Sequence, residues 1–177
     1  MIKVGINGFG RIGRLILRAL LENYKGKIQV VGINDLGSIE ANAHLIKYDS
    51  THGTLIHDIK TSAEGFQIDD QNIKVFAERD PAKLPWGKIG ADVVLECTGF
   101  FLDKNSAGKH IEAGAKKVII SAPAKEVDFT VVQGVNSKDL KKEHNIISNG
   151  SVSYTHLRAH ETREDRGCRL GGVKKKG

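Results

Sequence analysis

The sequence has few cysteines and no long apolar run. Among 177 residues only Cys97 and Cys168 are cysteines, they lie far apart, and neither belongs to a CxxC pair. This pattern excludes a disulfide framework and a cysteine-based zinc site, and it leads us to expect a cytoplasmic protein. No stretch of about 18 apolar residues is present, and the chain starts with the strand-like segment Ile2–Ile6. We therefore expect neither a membrane partner nor a secretory leader.

The excess of positive charge lies mostly at the carboxyl end. The formal net charge is +6, yet residues 1–150 hold 20 basic and 18 acidic side chains, a net charge of +2. Residues 151–177 hold 7 basic and 3 acidic side chains, a net charge of +4, and one aromatic residue, Tyr154. Proteins that bind single-stranded nucleic acid stack successive bases on several aromatic rings, and one aromatic residue does not form such a platform. We therefore do not expect a nucleic-acid partner, and a scaffold with a basic nucleic-acid-binding tail stays as the alternative class of function.

Apolar runs alternate with amphipathic segments along the first 150 residues. A buried strand at Ile2–Ile6 runs into a glycine-rich turn, a helix from about Arg11 to Gly26 and a second strand at Ile28–Ile33. Within the helix, one stripe at helical spacing consists of the apolar residues Ile12, Leu15, Ile16, Ala19 and Leu20. Strand, helix and strand within so few residues predict a right-handed parallel βαβ unit.

The same alternation continues after a short interruption. Small antiparallel strands are predicted between Thr54 and Phe76. Further strands are predicted at Asp92–Glu96, Val118–Ile120, Phe129–Gln133 and Ile146–Ile147, and further helices at 38–48, Asp103–Ala113 and Ser137–Glu143. The fold class is therefore α/β, with a doubly wound, Rossmann-type, mostly parallel sheet and a small antiparallel insertion. No such periodicity follows Gly150, and we expect the tail to be disordered.

The residues between the first strand and the first helix carry the spacing Gly-x-Gly-x-x-Gly. Gly8 permits the tight turn, Gly10 lets the backbone approach a pyrophosphate, and Gly13 lets helix and strand pack closely. The free amide groups and the positive dipole end of the helix starting near Arg11 then face the anion. A glycine turn alone is weak evidence, and its place between a strand and a helix gives it weight.

Asp35 adds independent support for a dinucleotide. It lies 22 residues after Gly13, at the end of the second predicted strand, where a carboxylate can accept hydrogen bonds from both ribose hydroxyls. The carboxylate would repel a 2′-phosphate, and no Arg or Lys follows within several residues to receive one. NAD is therefore the predicted cofactor, in preference to NADP.

Other candidate residues have an ordinary structural interpretation. Cys97 follows a predicted strand at the edge where doubly wound sheets bind ligands, but no cationic neighbour is evident, so a buried, inert thiol is favoured over a reactive one. The backbone groups of Thr98 and Gly99 are better candidates for cofactor contacts. His156 and His160 have the i, i+4 spacing of metal ligands on a helix, yet nothing completes a site, and we predict no metal.

Several separate motifs, in the right order and spacing, together resemble one family. They are Lys3–Arg14, Asn34–Asp35, Lys47–Ser50 with His52–Gly53, Glu78–Pro81, Glu96–Gly99 and Ser121–Ala124. Residues 1 to about 151 closely resemble the NAD-binding domain of glyceraldehyde-3-phosphate dehydrogenase. The resemblance implies roles for six positions: Arg11 and Ile12 at the pyrophosphate, Asp35 at the adenosine ribose, Arg79 at the adenine side, Thr98 near the strand end and Ser121 at the nicotinamide side.

The resemblance also implies the reaction and a departure from it. The family is an oxidoreductase of glycolysis that converts a small phosphorylated aldehyde and inorganic phosphate by way of a Cys nucleophile, a downstream His and NAD. At the position that the resemblance gives to the nucleophile this chain has Val152, and we expect the second, catalytic domain to be absent. We therefore predict a domain at 1–151, a basic tail foreign to the family at 152–177, and no catalytic activity for this chain alone.

Three related questions stay open from the sequence. A dehydrogenase of another phosphorylated aldehyde, erythrose 4-phosphate, is an alternative because the substrate pocket is missing. The abrupt loss of match at Val152 favours a frame change, a chimeric junction or an appended segment over gradual divergence. Members of the family are homotetramers, and the missing domain makes assembly of this chain doubtful.

Overall fold

A computed structural model describes residues 1–149 of the chain. The predictions made for the tail, including those for Val152, His156, His160 and Cys168, lie outside the described residues. Among residues 1–149, no helix is both long and apolar enough to cross a bilayer.

Eleven strands occur in the described residues. They are β1 (Ile2–Asn7), β2 (Ile28–Asn34), β3 (Tyr48–Asp49), β4 (Gly53–Thr54), β5 (Ile59–Ser62), β6 (Gly65–Ile68), β7 (Gln71–Phe76), β8 (Val93–Glu96), β9 (Lys117–Ile120), β10 (Phe129–Thr130) and β11 (Ile146–Ser148). Nine of them form one sheet in the order β10-β11-β9-β8-β1-β2-β7-β6-β5, and β3 and β4 pair separately as a hairpin.

The large sheet is parallel from β10 to β7 and antiparallel only at the β7-β6-β5 edge. Strand β1 lies between β2 and β8, so the chain order reverses there, as in other doubly wound sheets. The predicted fold class is confirmed, including the antiparallel insertion between Thr54 and Phe76. The carboxyl ends of β2, β1 and β8 meet at one edge of the sheet, where such folds bind ligands.

In the described part of the chain, three α-helices pack against the sheet: α1 (Arg11–Asn23), α2 (Ile39–Lys47) and α3 (Lys104–Glu112). The side chain of Ser38 accepts a hydrogen bond from the Ala41 amide at 3.2 Å and caps α2. Asp103 caps α3 in the same way, accepting from the Ser106 amide at 2.9 Å. Both caps satisfy amide groups that have no partner within the helix, which explains why the helices begin there.

Helix α1 differs in rotation from the predicted apolar stripe. Its buried residues are Gly13, Leu17, Arg18 and Leu21, whereas Ile12 is 48% exposed. The reason is the close contact between helix and turn, because a Cβ on Gly13 would lie 2.2 Å from the carbonyl oxygen of Gly8. Gly13 must therefore face the sheet, and the residues four and eight positions later follow it inward.

Two elements between residues 129 and 143 are shorter than predicted. The strand predicted at Phe129–Gln133 is only Phe129–Thr130, because Asn136 accepts from the Val132 amide at 2.7 Å and donates to the Thr130 carbonyl at 3.0 Å. The helix predicted at Ser137–Glu143 is a 3₁₀ turn, Ser137–Asp139. Side-chain hydrogen bonds of this kind compete with regular structure.

Trp86 fills the core beside the central strands. It is fully buried, and its ring lies against β1 and β2 where each strand carries a glycine: a Cβ on Gly5 would be 2.7 Å from the ring. Phe76 meets the ring edge-on, with ring centres 6.2 Å apart. The bulk of Trp86 thus replaces the side chains that Gly5 and Gly32 lack, and its indole N–H is held at one position.

Candidate functional site

A cavity of about 520 Å³ opens at the carboxyl ends of β1, β2 and β8. Five of the predicted site residues line it: Gly8, Gly10, Asp35, Arg79 and Thr98. Cavities of this size at the point where strand order reverses are typical small-molecule sites in doubly wound folds.

The glycine turn forms one wall of the cavity. Gly8 has φ +92°, and a Cβ there would lie 2.7 Å from the amide nitrogen of Thr98, so backbone conformation and close approach both require glycine. Gly10 meets nothing within 4 Å of an added Cβ, so the space beside it is open. The turn therefore brings β1 and β8 together while leaving room next to Gly10.

The amino end of α1 adjoins this open space. Gly10 is the N-cap, no side chain caps the helix, and the first turn holds no acidic residue. Its first amide groups have no intrahelical partner, and the helix dipole adds partial positive charge there. An uncapped helix end beside an open glycine is suited to an anion such as a pyrophosphate.

Asp35 lines the same cavity and lies just after β2. One carboxylate oxygen accepts from the Phe9 amide at 2.9 Å, and the other accepts from the Gly37 amide at 2.9 Å and the Asn42 side chain at 3.1 Å. Three donors hold the carboxylate in one orientation and leave lone-pair capacity on it. The carboxylate is therefore ready to accept hydrogen bonds from a ligand in the cavity.

A second carboxylate, Glu96, lies beneath the cavity at the end of β8 and is 1% exposed. One of its oxygens accepts from the Asn7 side chain at 2.6 Å and from His110 Nε2 at 2.9 Å. The other accepts from the amide of Thr98 at 2.7 Å and from the Thr98 hydroxyl. Trp86 Nε1 donates to His110 Nδ1 at 3.0 Å and completes this buried network.

Cys97 follows Glu96 in the chain and lines the cavity. Its thiol is a poor nucleophile. Burial raises the pKa of the thiol to about 11, the negative charge of Glu96 adds to the rise, and a hydrogen bond with Ser121 opposes it. At neutral pH the thiol is protonated, whereas a reactive cysteine must be a thiolate. The structure agrees with the inert interpretation of Cys97.

Besides Gly99, three predicted residues do not line the cavity. The Arg11 side chain donates to Asp49 at 2.6 Å, and Ile12 is half exposed on the outer side of α1, which leaves only their amide groups at the helix end. Ser121 lies behind Cys97, where its amide donates to the Glu96 carbonyl at 2.9 Å. Any role of these three in binding is one of backbone or indirect support.

Other cavity residues were missed by sequence reasoning. These are Asn7, Asn34, Leu36, Glu78, Phe100 and Phe101. Asn7 and Asn34 end β1 and β2, so the rule that ligands meet strand ends would have found them. The position of Arg79 beside Asp35 was likewise not visible from spacing, because β7 pairs with β2 only in the folded sheet. In residues 1–149 no group of three or more His, Cys, Asp or Glu is placed to hold a metal.

The fold and this cavity define a Rossmann-type dinucleotide-binding domain: a parallel sheet, a glycine turn into an uncapped helix end, and an oriented carboxylate after the neighbouring strand. The family described as "Glyceraldehyde 3-phosphate dehydrogenase, NAD binding domain" matches residues 2–104, more than half of the chain. The chain belongs to that family, and its cofactor is NAD.

Curated relatives share about half of their residues with this chain. Glyceraldehyde-3-phosphate dehydrogenase of Zymomonas mobilis is 55% identical over 153 residues, which are 86% of this chain and 45% of the relative. The proteins of that name from Pseudomonas aeruginosa and Geobacillus stearothermophilus are 51% and 53% identical over 153 residues, again 86% of this chain and 46% and 45% of the relatives. The chain thus spans about half the length of the curated relatives it matches.

Proposed function

We propose that the cavity holds NAD with its adenosine ribose at Asp35 and its pyrophosphate at the amino end of α1. The single observation that carries this proposal is that the oriented Asp35 carboxylate and the uncapped helix end adjoin one cavity, with the carboxylate held by the Phe9 amide next to the N-cap Gly10. The carboxylate offers an acceptor for a ribose hydroxyl, and the helix end offers donors for an anion. A dinucleotide carries both groups, with the ribose hydroxyls of its adenosine next to its pyrophosphate.

Further residues fit the same ligand. The side chains of Leu36 and Phe100 are 60% and 84% exposed and line the cavity, so they present apolar surface to flat rings. Arg79 is exposed and lines the same cavity as Asp35, which supports the adenine side for it. Thr98 and Asn7 form the wall on the β8 side, where the nicotinamide half then extends.

Cofactor choice rests on Asp35 and is complicated by Arg79. A 2′-phosphate on the adenosine ribose would meet the Asp35 carboxylate, which three donors hold in place. Arg79 lines the same cavity and carries the opposite charge. We propose that Asp35 decides in favour of NAD, because its carboxylate is fixed whereas no side-chain hydrogen bond of the Arg79 guanidinium occurs among the described residues.

Binding titrations of NAD and NADP test this choice. The unmodified chain is expected to bind NAD at least about tenfold more tightly than NADP, and Asp35→Asn is expected to reduce NAD affinity about tenfold, the value of one charge-assisted hydrogen bond. The control is Asp58→Asn, which removes the same charge from a 75% exposed side chain outside the cavity. Equal affinities for NAD and NADP in the unmodified chain would show that Asp35 has another role.

The whole protein to which such a domain belongs is proposed to be a phosphorylating aldehyde dehydrogenase. When bound, NAD supplies the hydride acceptor. The support is the family and the names of the relatives, and the substrate would be glyceraldehyde 3-phosphate with inorganic phosphate, or alternatively erythrose 4-phosphate. Because Val152 has no nucleophilic group, we propose that this polypeptide binds the cofactor without turnover. Oxidation of glyceraldehyde 3-phosphate by the purified chain would contradict that part.

A further inference from the structure

Glu96 is a buried carboxylate without a cationic partner. Within residues 1–149 no Lys or Arg forms an ion pair with it, and its side chain is fully buried. A carboxylate in such a place is costly unless hydrogen bonds compensate it. Its protonation state therefore depends on whether each neighbour donates or accepts.

His110 is a neutral donor to Glu96. The indole N–H of Trp86 can only donate, and it points at His110 Nδ1 at 3.0 Å, so Nδ1 must accept. A neutral imidazole then carries its proton on Nε2, the atom that lies 2.9 Å from Glu96. A doubly protonated ring would place two donors against each other at Trp86. The pair is thus a neutral histidine and a carboxylate.

The other partners of Glu96 are donors as well. Asn7 presents its Nδ2 group to Glu96, since its Oδ1 accepts from Asn34 at 2.7 Å. The Thr98 hydroxyl accepts from the Phe100 amide at 3.1 Å, which leaves its proton for Glu96. With the Thr98 amide, four donors meet the two oxygens. This arrangement suits an ionised, acceptor-only carboxylate, so one uncompensated negative charge lies at the end of β8.

That charge lies one side-chain layer below the cavity. Asn7 and Thr98, which bond to Glu96 at 2.6 and 2.7 Å, both line the cavity. Strand β8 lies on the opposite side of β1 from β2, which carries Asp35. If the adenosine half is at Asp35 and the pyrophosphate at α1, as the proposed function holds, the nicotinamide half extends over this end of β8.

We propose that Glu96 determines the preference of the site for the oxidation state of its cofactor. The nicotinamide ring of oxidised NAD is cationic and that of NADH is neutral, so a buried negative charge beneath it stabilises the oxidised form selectively. At an effective dielectric constant of about 20, unit charges about 12 Å apart already change an affinity about tenfold, so a ring closer to Glu96 than that would show at least this preference. Glu96 touches no ligand in this arrangement and acts through its charge. His110 donates to that charge, and Trp86 positions His110.

The test measures dissociation constants for oxidised NAD and for NADH by calorimetric titration of three proteins: the unmodified chain, Glu96→Gln and Asp92→Asn. Asp92 precedes the same strand at its other end, about 13 Å from Glu96, and its carboxylate is paired with Lys116. The control therefore makes the same change of charge on the same strand away from the cavity. The unmodified chain and Asp92→Asn are expected to bind oxidised NAD about tenfold more tightly than NADH, and Glu96→Gln is expected to lose that preference.

The outcomes separate this inference from the proposed function. Absence of binding of either cofactor to the unmodified chain overturns both. Binding of both with equal affinity to the unmodified chain overturns the role of Glu96 alone, whether or not Glu96→Gln folds. A folded Glu96→Gln that keeps the tenfold preference, with folding checked by circular dichroism, also overturns it. A merely structural role would weaken both affinities together and leave their ratio unchanged.

Discussion

The two carboxylates that flank β1, Asp35 and Glu96, share chemistry and differ in what covers them. Asp35 follows β2 and accepts three hydrogen bonds while facing the cavity; Glu96 ends β8, accepts four and is buried beneath Thr98 and Asn7. Both are held by donors at a strand end. The difference indicates that one carboxylate is a contact for a ligand, whereas the other is a fixed charge that shapes the site from below.

The largest expected effect is on stability when each carboxylate is removed. Glu96→Ala leaves the Asn7 amide, the His110 N–H and the Thr98 amide without an acceptor in the interior, and it should lower the free energy of unfolding by about 4 kcal/mol. Asp35→Ala frees donors that water can reach, and it should cost about 1 kcal/mol. Urea unfolding monitored by the fluorescence of Trp86 measures both.

Equal decreases in the free energy of unfolding for Glu96→Ala and Asp35→Ala would contradict the difference in burial between the two carboxylates. They would mean that water enters behind Thr98 once Glu96 is shortened, and that the buried carboxylate is not isolated from solvent. In that case the fixed charge assigned to Glu96 would be screened, and the preference for oxidised NAD should shrink with it.

A smaller effect is expected from Trp86→Phe. This substitution keeps most of the ring that packs against Gly5 but removes the N–H that donates to His110 Nδ1, and it should cost about 2 kcal/mol. Glu96 and its donors stay in place, so the tenfold preference for oxidised NAD should persist. Loss of the preference with an intact fold would show that Trp86 does more than position His110.

The contrast between the two carboxylates also explains what the sequence could predict. Asp35 is recognisable from the sequence because it follows a predicted strand at a typical distance from a glycine turn. The partners of Glu96 are distant in the sequence. Asn7 meets Glu96 only when β1 lies beside β8, and His110 comes from α3, where the N–H of Trp86 from a loop holds it. Strand positions and the mostly parallel type of the sheet followed from apolar runs, whereas the rotation of α1 depended on one close contact at Gly13.

The smallest effect concerns a third carboxylate, Asp128, which is neither buried like Glu96 nor part of the cavity. A hydrogen bond from Lys104 at 2.8 Å and the amides of Ile146 and Asn145 lower its pKa from 3.8 to about 2. Because the folded-state value is lower than the unfolded one, the stabilisation is present above about pH 4 and is lost as the pH falls towards 2. Asp128→Asn should therefore cost about 1 kcal/mol at pH 7, after allowance for solvent screening.

Urea unfolding midpoints at pH 7, 5, 4 and 3 measure this dependence, and the difference between Asp128→Asn and the unmodified chain should narrow across the last two. The same measurements in 1 M salt compare Asp128 with Glu96. The contribution of Asp128 to the free energy of unfolding includes an ion pair with the half-exposed side chain of Lys104, so salt should reduce that contribution. The contribution of Glu96 rests on neutral donors in the interior and should change little. If salt weakened both equally, the charge on Glu96 would be in contact with solvent, and it could not act selectively on a nicotinamide ring in the cavity above it.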